Sequence, residues 1–156
     1  LFYLVVYAFM NLGAFAVIIA VAAPGEERPA LSSVAGLASR HPVLAFCMAI
    51  FMFSLAGIPP TGGFVGKLYI FSAAMEANYV GLALLAVLCS VIAVFFYLRV
   101  VLVMYMEEPR EEMPSPTLSP GILFTLVLAM AVILQTGILP GTMWEVAVRA
   151  VERFLG

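Results

Sequence analysis

The chain is 156 residues long, 65% hydrophobic and 10% charged, with a mean hydropathy of +1.15 and a formal net charge of −2. No soluble domain of this size needs so apolar a surface, and the small net charge offers nothing to nucleic acid, so composition points to an all-α integral membrane protein in contact with lipid. Asp is absent, the lone histidine cannot supply two haem ligands, and Cys47 and Cys89 lie in hydrophobic runs where a thiol behaves as a small apolar side chain.

Residues 1–23 carry no charge and are long enough to cross about 30 Å of hydrocarbon. With no starting methionine, basic region or small-residue cleavage site, they read as an internal piece of a longer protein rather than a signal peptide. Pro24 and Gly25 close this span, and residues 30–41 predict a short helix at the membrane surface. Pro42, favoured at a first helical position, opens a second span over 42–57. Residues 58–78 read as a broken helix. Gly57, Pro59, Pro60, Gly62 and Gly63 crowd a stretch that no regular helix tolerates, and the short helix after them contains Lys67. A long span over 79–106 follows, then a polar connector over 107–118. Ser119 and Pro120 fit the N-cap and first position of a last span over 119–140.

The tail, residues 141–156, differs. Thr142 and Glu145 fit a capping box. Met143, Val146, Ala147, Ala150, Val151 and Phe154 fall on one helical face, and Glu145, Arg149, Glu152 and Arg153 on the other. That pattern predicts an amphipathic helix lying in the interface or against a partner. The expectation is therefore one membrane domain of about five transmembrane helices, one of them short, plus this tail. If five spans alternate, Arg28, Arg40, Arg149 and Arg153 share one side and Arg99 and Arg110 the other, too even a division to set orientation.

Lys67 is the only lysine. An ammonium group in hydrocarbon costs about 2.5–3.5 kcal/mol on insertion scales. On a helix it shares a face with Gly63, Phe64, Phe71, Ala74 and Asn78, while Glu76 falls on the opposite face, about 13 Å along the axis. Either it is neutral, or its counter-charge lies on another chain or elsewhere in a longer one. A lysine that loses and regains such a partner carries protons. The competing reading is a lysine near a helix end, snorkelling to the headgroups.

Irregular backbone at membrane depth is tolerated only inside protein or along a wet cavity, and broken helices mark ion sites in many transporters. The plainer reading of 57–63 is an interhelical turn. Tyr3, Tyr7 and Asn11 recur at four-residue spacing on the first span, and Ser90 and Tyr97 share a face of the fourth. Such stripes serve as interhelical hydrogen bonds or, together with Asn78, as a hydrated proton path beside Lys67. His41, Arg99 and Gln135 sit near span ends and read as interfacial.

Three segments resemble the antiporter-like membrane subunits of respiratory complex I, the bacterial proton-translocating NADH:quinone oxidoreductase, in their subunit N type (subunit 2 in mitochondria). They are Tyr7-Ala8-Phe9-Met10-Asn11-Leu12-Gly13-Ala14-Phe15-Ala16, Ser54-Leu55-Ala56-Gly57-Ile58-Pro59-Pro60-Thr61-Gly62-Gly63-Phe64-Val65-Gly66-Lys67-Leu68-Tyr69, and Tyr97-Leu98-Arg99-Val100-Val101. The resemblance implies the last third of a fourteen-helix fold built on two inverted repeats, with Lys67 on a discontinuous twelfth helix as the lysine of a proton half-channel. Asn11 stands where some relatives carry lysine and cannot titrate. The family implies no redox centre in this chain, with NADH, FMN, iron-sulfur clusters and quinone bound by other subunits. Implied partners are the N-terminal part of the same subunit and neighbouring antiporter-like and small membrane subunits, in the bacterial inner membrane. The alternatives are a cation/proton antiporter subunit of the same fold and a docking bundle in which Lys67 is merely tolerated. A small-molecule permease would need a wider polar pocket than one lysine and scattered hydroxyls provide.

Overall fold

The computed structural model describes residues 2–22, 31–109, 116–139 and 141. Residues 142–156 of the expected amphipathic helix over 141–156, the polar stretch 24–29 and the middle of the connector, 110–115, lie outside the described residues. Those described form helices and turns, with no strand among them. They are α1 (Phe2–Val21), a 3-10 turn (Leu31–Val34), α2 (Leu37–Arg40), α3 (Pro42–Ala56), α4 (Gly62–Glu76), α5 (Val80–Met106) and α6 (Pro120–Ile138). α1, α5 and α6 are long and apolar enough to cross a membrane, and α3 is a shorter apolar helix.

Local chemistry sets the helix ends. Pro42 and Pro120 occupy first-turn positions, where a missing N–H costs nothing. Ser119 caps α6, its hydroxyl accepting the Ile122 N–H at 3.3 Å. At the far end of α3, Gly57 turns left-handed with φ 85°. Ile58 N–H then donates to the Phe53 carbonyl (2.9 Å) and Gly57 N–H to that of Ser54 (3.0 Å), the paired bonds of a Schellman ending.

α1 is the ruler against which the break can be measured. Tyr3 packs on Gly66, Val6 on Gly62, Met10 on Gly63 and Ser54, and Gly13 on the Phe51 ring. Moving up α1 thus means moving down α4 and then down α3. The two 15-residue helices follow one another along α1 instead of folding back on each other. α6 runs opposite to α1: Thr117 N–H donates to the Ala20 carbonyl (2.9 Å), while Gly137 at the other end lies against Pro60 and Thr61. α5 lies on the opposite flank of the broken path and ends beside the 31–40 segment, where Gly36 N–H donates to the Val103 carbonyl (3.1 Å).

This topology corrects the count of arginines by side. Five alternating spans would separate Arg40 from Arg99. The structure brings Arg40 and the half of α5 that carries Arg99 to the same end, because α3 and α4 run in one direction. The core lies where α1, α3 and α6 meet, with Met10, Val17, Ala45, Phe51 and Ile133 at most 1% exposed. Small residues on α1 (Gly13, Ala14, Ala16, Ala20) let these helices approach closely.

Candidate functional site

A helix leaves its last four carbonyls without intrahelical donors. In α3 the Schellman ending takes those of Phe53 and Ser54. The remaining two, of Leu55 and Ala56, accept from Lys67 Nζ at 3.0 and 3.1 Å. They also carry the negative end of the α3 dipole, which favours a cation. Among the described residues the groups that face the ammonium are thus the end of the preceding helix, and backbone has no residue type to search for. Glu76 is exposed at the end of α4. Gly57 serves twice, since a Cβ there would sit 3.0 Å from Lys67 Cδ and crowd the lysine stem.

The start of α4 is held in a complementary way. Ser54 Oγ accepts the Gly63 N–H (3.1 Å) and donates to Met10 Sδ (2.9 Å). Gly63 lies so close against the Ser54 carbonyl that any side chain there would collide with it. Thr61 Oγ1 donates to the Ile58 carbonyl (2.7 Å) and closes the turn, which contains Pro59 and Pro60. Thr136, fully buried on α6 near Gly62, has a hydroxyl with no hydrogen-bond partner among the described residues.

Lys67 opens onto a cavity of about 240 Å³ between α4 and α5, bounded by Phe64, Phe71, Val87, Ser90 and Val94. A water takes up roughly 30 Å³ of liquid, so several fit. The α5 residues involved straddle the middle of that 27-residue helix. The ammonium is thus at mid-height of the longest helix, far from either end. Among the described residues no group of three or more His, Cys, Asp or Glu could hold a metal.

The other expected site residues lie elsewhere. Tyr7, Asn11, Tyr97 and Asn78 do not line this cavity. Asn11 Nδ2 donates to the Tyr7 carbonyl (2.8 Å) within α1, and the Tyr3 and Tyr7 rings stack at 5.7 Å. Tyr97 is half-buried against the core from α5. Asn78 is exposed in the turn after α4, left-handed with φ 60°, so it leaves the helical face it was expected to share with Lys67. Sequence reasoning placed Ser90 on a polar stripe, and it does face the cavity. It passed over Ser54, whose signal was a hydroxyl three residues before a glycine helix ending, with a second helix start close behind.

Residues 1–96 match the family described as NADH:quinone oxidoreductase/Mrp antiporter, TM. The chain is 44% identical over 152 residues to NADH-quinone oxidoreductase subunit N of Trichlorobacter lovleyi, covering 97% of this chain and 31% of that protein. It is 48% identical over 150 residues to subunit N of Chloroflexus aggregans, covering 96% and 30%. The chain thus spans about a third of the length of the curated relatives it matches. Among solved structures, a chain of respiratory complex I from Thermus thermophilus with bound Aureothin superposes with a TM-score of 0.78 at 33% identity, covering 90% of this chain and 32% of that one.

Proposed function

The chain belongs to the NADH:quinone oxidoreductase/Mrp antiporter transmembrane family, and from that premise we propose that it forms part of a proton path in the membrane arm of a bacterial NADH:quinone oxidoreductase, with Lys67 as the proton carrier. One observation carries this reading: a lone ammonium at mid-height of the bundle, held by two backbone carbonyls and facing a cavity that water fits. In this reading α3 and α4 are two halves of one interrupted crossing within a fourteen-helix fold. NADH, FMN, iron-sulfur clusters and quinone belong to other subunits, and this chain contributes no redox step. The protein lies in the inner membrane against the rest of its own subunit and neighbouring membrane subunits.

The geometry performs the task as follows. Protonated, Lys67 uses two donors on the Leu55 and Ala56 carbonyls and keeps a third for water in the cavity. A positive charge arriving nearby favours loss of that third proton to water, and its departure favours return. Among the described residues the amine is held by carbonyls and not by a carboxylate, so modest charge movements tip the balance. For scale, one charge crossing 100 mV is worth about 2.3 kcal/mol.

The test uses the full-length protein in its assembled complex in membrane vesicles. Lys67→Ala is expected to lower coupled quinone reduction by about tenfold or more while leaving insertion intact. Lys67→Arg is expected to give no recovery, because a guanidinium does not release its proton. Normal pumping in both variants would sink the reading and leave a docking bundle. A cation/proton antiporter, the other branch in the family description, predicts ion-dependent proton exchange in vesicles without quinone.

A further inference from the structure

Two joints fasten α4 to the end of α3, one helical turn apart on the same face of α4. At the first, the fully buried Ser54 hydroxyl accepts the Gly63 N–H. At the second, four residues on, the Leu55 and Ala56 carbonyls accept from Lys67 Nζ. Resting on the proton-carrier reading of Lys67, we propose that Ser54 is its positioning residue: the hydroxyl holds the two half-helices in register while the lysine gives up its proton and takes it back.

The two joints respond differently to protonation. The second is charge-assisted, and bonds of that kind are roughly twice as strong as neutral ones. It weakens whenever Lys67 is neutral. The Ser54–Gly63 joint links a hydroxyl and an amide, neither of which titrates, so its strength is constant. It also satisfies one of the N–H groups that every helix start leaves free, which is costly to bury bare. The hydroxyl is itself aimed by donating to Met10 Sδ on α1, which ties the joint to the inner wall of the bundle. Thr61, by contrast, bonds within the turn and does not bridge the halves. Without Ser54, a neutral Lys67 would leave the register of α3 and α4 to the turn and to their packing against α1, and the carbonyl pair would be held less closely to the amine that must return to it.

The experiment compares Ser54→Ala, Ser54→Cys and Lys67→Ala in the full-length protein within its assembled complex, reading proton translocation per assembled complex. Ser54→Ala is expected to slow it about three- to tenfold, with Ser54→Cys, which keeps the volume and a weak acceptor, in between. A merely structural role would give less assembled complex at an unchanged rate per complex, and that result overturns the assignment. If Ser54→Ala does not assemble, Ser54→Cys decides: a wild-type rate overturns the proposal and a reduced rate supports it. An impaired Lys67→Ala beside an unimpaired Ser54→Ala removes only the positioning role. An unimpaired Lys67→Ala removes the proton carrier itself.

Discussion

α1 and α5 have nearly the same mean hydropathy over their most apolar windows, 2.4 and 2.6, yet 44% of the α1 window is buried inside the bundle and 6% of the α5 window. Hydropathy reports the medium a helix tolerates, and neighbour packing depends on side-chain size. α1 buries glycine and alanine among Val6, Met10 and Val17, so backbones come close. α5 buries only Ala83, Val103 and Met104 and exposes Leu85, Leu88, Ile92, Phe95 and Phe96. α1 is therefore an inner wall with helices on more than one flank, and α5 an outer wall that packs on the broken path with one face and leaves the other uncovered. Lys67 sits between them. Its carbonyl partners are fixed through α3 and α1, and its open side faces α5 across the cavity.

The sharpest way to break this contrast is at Phe51, which is fully buried where α3 meets α1. Phe51→Ala should cost about 3–5 kcal/mol, as large-to-small changes do in a close-packed interior. It should appear as a marked fall in the thermal midpoint of the solubilised protein. Across the same contact, Gly13→Ala drives a Cβ into the Phe51 ring and should cost about 1–3 kcal/mol. Because the two sites share one space, Phe51→Leu should recover part of the Gly13→Ala loss in the double variant. Additive losses would mean that the inner wall is less tightly clamped than the structure shows.

The contrast also explains what was readable beforehand. Apolar length and helix-breaking residues are local, so a membrane-crossing helical chain interrupted near residue 60 follows from the sequence. Lys67 stood out because it is the only lysine and lies beside that interruption. Its partners did not, because carbonyl groups belong to every residue and become special only where a helix stops facing another. Nor does periodicity say that α3 and α4 continue in one direction, since that depends on what each helix meets along α1. Asn78 shows the limit of face arithmetic. Face sharing with Lys67 requires a helix through residue 78, but α4 stops at Glu76 and asparagine takes the left-handed conformation it tolerates better than most residues. Tyr7 and Asn11 on α1 and Tyr97 on α5 lie outside the lining of the cavity beside Lys67, so four-residue spacing locates a polar stripe without saying what it meets.

The smallest expected effect lies on the outer wall. Gly81, in the first turn of α5, has nothing among the described residues within 4 Å of the position a Cβ would take. Gly81→Ala should leave packing untouched and stabilise the helix by up to about 1 kcal/mol through lower chain entropy, where Gly13→Ala destabilises. Identical chemistry would thus change sign between two helices that hydropathy cannot tell apart. The comparison needs only thermal midpoints of the two single variants against the parent protein. If Gly81→Ala is as damaging as Gly13→Ala, α5 is not an outer wall at that height. Its start would then be gripped by a neighbouring helix.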